Sequence, residues 1–333
     1  MPNFNPMIRK ISVVAPIYNE EKNIPELCRR LHHVLVNLPY EFEIILVNDG
    51  SADLSHLKIH EMALIYPEVK GIDLAGNYGQ TIALRAGFEL AKGEVVIAMD
   101  GDLQHDPSDI IRFMKKIEEG YDLVGGAKES RPDGWFKSKL SSIAHKVISK
   151  LAQVDMSYFG ATYKAYRSYL LKHTNLLGDS HRFIGAIVAR KGIRYAEIPI
   201  TIYERTHGTS NYKINKVWKV LLDLIFLKFF ISYLNKPFRL FGSVGFLFSF
   251  IGLVGVILIS IGNVFFEINV KEEYLVEFFS SAFLIVMGLL FLSIGVLAEL
   301  GVYNYYGQKR KSPYTIRSII KKPASFYEKE FNS

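Results

Sequence analysis

The chain has 333 residues and a formal net charge of +7 at pH 7, with 49% hydrophobic and 22% charged residues. It is too apolar for a disordered chain and too polar for a polytopic transporter, which favours a soluble part joined to a short membrane part. The single cysteine, Cys28, excludes an internal disulfide framework and a cysteine-based zinc site. The positive charge favours an anionic partner, such as nucleic acid, phospholipid headgroups or a phosphorylated substrate.

Residues 1–200 alternate between short runs rich in β-branched residues and segments with helical spacing of apolar residues. The pattern predicts strands at Ile11–Ala15, Phe42–Val47, Val69–Leu74 and Glu94–Met99. It predicts helices at Glu21–Val36, Leu54–Tyr66 and Thr81–Ala91. Such alternation indicates an α/β fold with a mostly parallel sheet and helices on both faces. Ligands of such sheets bind beyond the carboxyl ends of the strands.

Acidic residues follow three of the predicted strands. The first strand leads into residues 15–20 (APIYNE), the second into 47–51 (VNDGS) and the fourth into 100–107 (DGDLQHDP). Because alternate residues of a strand point the same way, Asp100 and Asp102 can face one site. The pair suits Mg²⁺ or Mn²⁺, which in turn binds a diphosphate. A lone D-x-D is usually a solvated turn, but three acidic strand ends in this order indicate a nucleotide site.

Several other kinds of catalytic site are excluded by missing motifs. No G-x-G-x-x-G follows the first strand, and the chain has no P-loop and no G-x-S-x-G elbow. His60 and Glu61 begin a zincin motif, but Leu64 stands where the second histidine must be. Dinucleotide binding of the Rossmann type, P-loop phosphoryl transfer, zincin chemistry and esterase chemistry are therefore not supported.

Two charge-free apolar stretches, residues 240–266 and 278–298, are each long enough to cross a bilayer, which takes about 20 residues. The alternative is a pair of buried core helices. Lysines and arginines flank both stretches, whereas the short connection is acidic. The positive-inside rule therefore predicts a two-span hairpin over residues 238–303, with the catalytic domain and both termini in the cytoplasm and the acidic connection outside.

The segments on either side of this hairpin are basic. Residues 213–237 combine an apolar face with lysines, which predicts interfacial amphipathic helices, although a docking helix of the soluble domain stays open. Residues 304–333 are predicted to be a cytoplasmic basic tail. Because the basic residues cluster beside the spans rather than among exposed aromatics, a membrane is the expected partner and nucleic acid is not.

These segments, in their order and spacing, resemble the inverting GT-A glycosyltransferases. Residues 77–80 (NYGQ), 86–88 (AGF) and 204–212 (ERTHGTSNY), followed by two spans, resemble the polyprenyl-phosphate glycosyltransferases among them. That group includes dolichol-phosphate-mannose synthases and bacterial undecaprenyl-phosphate glucose and aminoarabinose transferases. Residues 159–160 with 164–167 (KAYR) are most similar to the aminoarabinose branch. The resemblance covers nearly the whole chain and implies a cytoplasmic GT-A catalytic domain over residues 1–212.

The resemblance also implies roles for matching residues. The nucleoside would be bound by Pro16, Tyr18, Glu20 and Asp49. The metal and the diphosphate would be bound by Asp100 and Asp102, with Gln104 beside them. Arg205 and Ser210 would contact phosphates. The lipid phosphate would be bound by Arg131, with Lys128 or Lys139 as weaker candidates. Asp102, Arg205 and Arg131 are thus the predicted catalytic residues, and a guanidinium suits phosphate because it binds two oxygens in a fork.

Three positions depart from the pattern of that family. Many relatives have Arg in place of Gly76 and Lys in place of Asn211, and some have a proposed base, Asp, where Ala161 stands. A phosphate monoester needs no base, since its second pKa is about 6. Ala161 is therefore compatible with a lipid-phosphate acceptor, whereas a hydroxyl acceptor would require another base, such as Asp155.

Together these features predict an enzyme that moves a sugar from a nucleotide-diphosphate donor, a UDP-sugar, to undecaprenyl phosphate with inversion. Its cofactor is expected to be Mg²⁺ or Mn²⁺, and its product a lipid-linked sugar for cell-envelope or lipopolysaccharide modification. One alternative is a non-catalytic nucleotide-binding membrane protein. Another is a processive polysaccharide synthase, but neither Trp135 nor Trp218 follows the arginine of the Gln-x-x-Arg-Trp motif. The sequence leaves open the sugar, the nucleotide of the donor (UDP or GDP) and whether the chain forms a homo-oligomer.

Overall fold

The computed structural model describes residues 8–128, 162–172, 184–189, 193–203, 233, 236–265, 274–307 and 315–320. The chain divides into two compact units. One comprises residues 1–216 together with 312–333, and the other comprises residues 217–311.

The first unit is built on an eight-stranded sheet with the order β7-β5-β6-β4-β1-β2-β3-β8. Its strands are β1 Lys10–Ile17, β2 Glu41–Asn48, β3 Val69–Leu74, β4 Val95–Ala98, β5 Leu123–Lys128, β6 Lys164–Arg167, β7 Tyr195–Ile200 and β8 Ile316–Ile320. Its helices are α1 Ile24–Leu35, α2 Ser55–Ile65, α3 Gln80–Leu90, α4 Asp109–Glu118, α5 Ser168–Leu171 and α6 Ile184–Ala189. The predicted α/β fold is confirmed, and the predicted strands and helices correspond to β1 to β4 and α1 to α3 with bounds that differ by a few residues.

The central strands β4, β1, β2 and β3 are parallel. They form a sheet because their β-branched and apolar runs are buried on both faces. On one face, alternate residues of β1 from Ile11 to Ile17 belong to a core that also includes residues of α1 and α4. On the other face, α3 approaches so closely that Gly87 lies directly against Val14. In α1 the buried residues recur at helical spacing. One of them is Cys28, and burial raises the pKa of its thiol to about 12, so the thiol stays protonated at neutral pH.

The last strand, β8, comes from the C-terminal end of the chain. It pairs antiparallel with β3, with Ile319 opposite Ile72 and Ser318 opposite Asp73, and Ile320 joins the core. The basic composition of residues 304–333 predicts a tail without a strand, so β8 corrects that prediction. Without β8, β3 would present a row of unpaired backbone groups, which is the usual liability of a sheet edge.

The second unit contains two long helices, α7 Phe238–Phe265 and α8 Leu275–Gly307. Both are long and apolar enough to cross a membrane, and few of their residues are buried within the protein. They pack closely through small residues. A Cβ atom added to Gly245 would lie 2.6 Å from the Gly288 carbonyl oxygen, which is typical of helix pairs joined by glycines. Apart from residues 233, 236 and 237, the predicted interfacial segment 213–237 lies outside the described residues.

Candidate functional site

The carboxyl ends of β1, β2 and β4 meet at one edge of the sheet. The backbone N–H of Asp49, after β2, donates to the Ile17 carbonyl at the end of β1 at 2.9 Å. Gly101, after β4, lies so close to β1 that an added Cβ would be 2.6 Å from Ile17 Cδ1 and 3.2 Å from the Pro16 carbonyl oxygen. The fold therefore brings the three acidic segments of the sequence together, as their position after parallel strands predicts.

The loop after β1 is attached to the loop after β2 through Asn19. This residue has a left-handed backbone with φ of 56°. Its N–H donates to Ser51 Oγ at 2.9 Å, and its Oδ1 accepts from the Ala52 N–H at 2.8 Å. Beside it, Tyr18 is half exposed and Glu20 is partly buried. The Tyr18 side chain lies on a loop that the hydrogen bonds of Asn19 fix in place. It is therefore available to a ligand at this edge of the sheet.

Asp49 is buried and holds the loop of residues 76–79. Its two carboxylate oxygens accept hydrogen bonds from the N–H groups of Tyr78 and Gly79, each at 2.8 Å. Burial raises the pKa of Asp49, and these two donors limit the rise. Gly50 has φ of +66° and lies so close to the backbone of Gly76 that no Cβ atom fits. The nucleoside-binding role of Asp49 stays a prediction, and the structure adds the support of this loop.

Asp100 is oriented by two side chains that the sequence analysis did not single out as site residues. Gln80, the first residue of α3, donates from Nε2 to Asp100 Oδ1 at 2.7 Å. His105 Nε2 lies 3.6 Å from Asp100 Oδ2, and the imidazole packs against the Tyr163 ring with 4.9 Å between centroids. Both residues stand in motifs noted above, NYGQ and DGDLQHDP. Their contacts with Asp100, however, depend on where α3 and β6 lie in the fold.

Asp102 stands on the turn after β4, where Leu103 has φ of 60°. Its Oδ1 accepts a hydrogen bond from the Gln104 N–H at 3.2 Å. Among the described residues, no group of three or more His, Cys, Asp or Glu could hold a metal ion. Two partly exposed carboxylates nevertheless fit Mg²⁺ or Mn²⁺, because such ions often take one or two carboxylates and complete their shell with water and phosphate oxygens. Asp100 and Asp102 therefore suit the metal in chemistry and position.

The turn after Asp102 is joined to the chain that follows β7. Gln104 Nε2 donates to the Tyr203 carbonyl at 3.2 Å, and the Tyr203 N–H donates to the Gln104 carbonyl at 2.8 Å. The Tyr203 hydroxyl donates to Asp106 Oδ2 at 2.9 Å. Tyr203, the residue before the predicted phosphate-binding segment 204–212, thus lies beside the turn that follows Asp102.

Several predicted residues lie outside the described part of the chain. They are Arg131, Lys139, Asp155, Ala161, Arg205 and Ser210. Lys128 ends β5, and its side chain is not described. The roles of all these residues stay predictions.

A buried cation lies next to β4. Lys164, on β6, is 1% exposed and pairs with Ala98, two residues before Asp100. Burial lowers the pKa of Lys164 to about 8, against the opposing influence of the carboxylates of Glu197 and Asp100. Lys164 is therefore a buried cationic side chain within electrostatic range of Asp100 and Glu197.

Comparison with known proteins agrees with this geometry. The family model described as Glycosyl transferase family 2 matches residues 12–175. The dodecaprenyl-phosphate galacturonate synthase of Rhizobium johnstonii is 32% identical over 325 residues, which cover 93% of each chain. The undecaprenyl-phosphate 4-deoxy-4-formamido-L-arabinose transferase of Proteus mirabilis is 32% identical over 327 residues, which cover 97% of this chain and 98% of the relative.

Solved structures support the fold. Glucosyl-3-phosphoglycerate synthase from Mycobacterium tuberculosis, in complex with Mn²⁺, UDP and glucosyl-3-phosphoglycerate, matches with a TM-score of 0.51 and 17% identity over 66% of this chain and 79% of that one. Mannosyl-3-phosphoglycerate synthase from Rubrobacter xylanophilus matches with a TM-score of 0.53 and 12% identity over 66% of this chain and 74% of that one. At these identities the likeness shows a shared fold.

Proposed function

Because the chain belongs to glycosyl transferase family 2, we propose that it transfers a sugar from a UDP-sugar to undecaprenyl phosphate with inversion at the anomeric carbon. The product is a lipid-linked sugar for modification of the cell envelope. Residues 1–212 form the catalytic part at the cytoplasmic face of the inner membrane, and residues 213–237 lie at the interface. Residues 238–303 cross the bilayer twice, and both termini are cytoplasmic.

The observation that carries the proposal is the convergence of Asp100 and Asp102 with the ends of β1 and β2. A departing diphosphate develops negative charge, and fixed positive charge beside it lowers the barrier. Asp100 and Asp102 would hold Mg²⁺ or Mn²⁺, which when bound supplies such charge. Gln80 orients Asp100 before the donor arrives, and the loop held by Asp49 forms the neighbouring wall of the donor site.

The acceptor assignment has support from two sides. Relatives that cover most of the chain are named for dodecaprenyl or undecaprenyl phosphate, and α7 and α8 are long and apolar enough to sit in the bilayer with such a lipid. A phosphate acceptor is largely ionised at pH 7 and needs no proton removed. The chain's own task is then to position that phosphate, which we assign to Arg131, Arg205 and Ser210.

The first test is the metal-binding carboxylate. Asp102→Ala removes one oxygen ligand from the predicted cation, so we expect a loss of at least two orders of magnitude in rate, and chelation with EDTA to stop the wild type. Asp106→Asn is the control, because Asp106 is close to Asp102 in the chain and its two carboxylate oxygens accept hydrogen bonds from the Tyr203 hydroxyl and the Ser108 N–H. A variant Asp102→Ala that retains near-normal turnover would contradict the assignment.

The second test is the acceptor. Purified full-length protein is supplied with undecaprenyl phosphate or with the dephosphorylated polyprenol, together with a panel of UDP-sugars that includes the galacturonate and 4-deoxy-4-formamido-L-arabinose derivatives. We expect transfer to the phosphate alone, with a rate that rises as the phosphate ionises and levels off near pH 7. Equal transfer to the free alcohol would remove the phosphate-acceptor proposal and direct attention to Asp155 as a base.

A further inference from the structure

The C-terminal strand, β8, begins at the edge of the sheet where the proposed donor site lies. Because β8 runs antiparallel to β3, its first residue, Ile316, pairs with Leu74, the last residue of β3. The strand register is irregular at this point, between Asp73 and Leu74. The chain entering β8 is thereby placed at the carboxyl end of β3, the edge at which Asp49 and Asp100 also lie.

Both backbone groups of Ala75 are bound by this C-terminal segment. The Ala75 N–H donates to the Thr315 carbonyl at 2.8 Å. The Arg317 guanidinium donates from Nη2 to the Ala75 carbonyl at 3.0 Å. Ala75 immediately precedes the loop of residues 76–79, so the start of that loop is set by residues 315–317.

The far end of the same loop is held by Asp49. The carboxylate accepts the N–H groups of Tyr78 and Gly79, and Gly50 leaves no room between itself and Gly76. An added Cβ at Gly76, in contrast, would have no atom within 4 Å. The loop is therefore fixed at both ends, and it faces open space at Gly76.

The hydrogen bond to the Ala75 carbonyl uses one N–H donor of the Arg317 guanidinium and does not require its positive charge. Arg317 is exposed, and within the described part of the chain its guanidinium makes this one hydrogen bond and no ion pair. A guanidinium offers five N–H donors in a rigid fork. It can therefore hold the Ala75 carbonyl while its charge stays in solvent at the donor edge.

We propose that Arg317 is a positioning residue for the nucleotide donor. By holding the Ala75 carbonyl, Arg317 fixes the loop of residues 76–79, which forms one wall of the nucleoside site. This inference rests on the proposed function for the identity of the donor. The C-terminal strand thus supports a donor site whose predicted nucleoside-binding residues lie near the N-terminal end of the chain.

The test compares full-length Arg317→Ala and Arg317→Lys with Ser318→Ala. Ser318 is the matched control because it is the next residue on β8, is exposed and makes no side-chain hydrogen bond within the described residues. Initial rates are measured against UDP-sugar and against undecaprenyl phosphate separately. We expect Arg317→Ala to raise KM for the donor about tenfold, at the lower end of what a hydrogen bond from a charged group contributes, and to leave KM for the acceptor unchanged. Arg317→Lys should recover part of the loss.

Two measurements do not depend on turnover. UDP binding in the presence of Mn²⁺ should weaken in Arg317→Ala by a factor similar to the rise in donor KM. Amide hydrogen exchange should speed up at Tyr78 and Gly79 in that variant, with exchange in β1 unchanged, because the bonds to Asp49 depend on the loop position.

The outcomes separate the two proposals. Unchanged donor KM, UDP affinity and exchange at residues 76–79 in Arg317→Ala would overturn the positioning role. So would a lower unfolding temperature with unchanged donor KM, since that would show a contribution to stability alone. A wild-type protein that binds UDP but transfers no sugar would contradict the proposed function, and the binding and exchange measurements would still decide the role of Arg317.

Discussion

Replacement of Gln80 by leucine tests how Asp100 is held. The leucine side chain keeps much of the volume of glutamine and removes the donor that reaches Asp100 Oδ1 at 2.7 Å. A hydrogen bond to a charged group contributes about 1.5–3 kcal/mol. The Asp100 side chain is 30% exposed, and solvent screening favours the lower end of that range. We therefore expect Gln80→Leu to lower kcat/KM about tenfold, since about 1.4 kcal/mol corresponds to a factor of ten.

The assay measures initial rates over a series of Mn²⁺ concentrations with the donor below its KM, so that the rate reports kcat/KM, and with the acceptor at saturation. An Asp100 carboxylate that is free to rotate should bind the cation less well, so Gln80→Leu should need more Mn²⁺ for half-maximal rate. Glu89→Gln is the control, because Glu89 lies near the other end of α3 and its exposed side chain pairs with the largely buried Arg85. Wild-type metal dependence and a rate within twofold of wild type in Gln80→Leu would refute the reasoning.

Two further predictions concern the stability of the full-length protein, which should rise with pH in two separate ranges, one acidic and one alkaline. Burial of Glu43 opposes its ionisation, but hydrogen bonds from Lys70, Ser12 and the Lys92 N–H outweigh burial and lower its pKa below 4.5. The contribution of the Glu43 carboxylate to stability is thus present above pH 4.5 and lost in acid. Glu43→Gln should lower the free energy of unfolding by about 3 kcal/mol at pH 7, and the difference from wild type should close below pH 4.5. Urea titrations at several pH values measure this. For Lys164, whose pKa burial lowers to about 8 from 10.5, the unfolded chain binds the proton more tightly between these values. Wild-type stability should therefore rise by about 3 kcal/mol relative to Lys164→Met from pH 8 to pH 10.5, and parallel curves for the two proteins would disprove it.

The sequence predicts the centre of this fold well because the centre is locally encoded. The strands β1 to β4 are buried on both faces and read as short runs of β-branched residues. Parallel strands place their carboxyl ends at one edge, so Asp49, Asp100 and Asp102 could be expected to meet before any coordinates were known. The long charge-free stretches of α7 and α8 are equally plain, since few soluble segments stay apolar for so long.

The parts that the sequence does not reveal depend on distant pairing. β8 is five residues of mixed character in a basic segment, and only its partner β3 makes it a strand. Gln80 becomes a support for Asp100 because α3 begins beside the end of β4, a matter of tertiary position. Arg317 likewise belongs to the site only through the pairing that brings it to Ala75. Local propensity and motif spacing carry no record of such contacts.

The order of synthesis makes β8 the last part of the sheet to exist. Ala75 and Arg317 are 242 positions apart in the chain, and both apolar helices are made between them. At about 5–20 residues per second, roughly 12 to 50 s separate the translation of the two residues. Throughout that time β3 is an open edge that another nascent chain can pair with. A ribosome must therefore finish both apolar helices before the sheet can close, and a chain that is cut short during their translation leaves a catalytic unit with an unprotected edge.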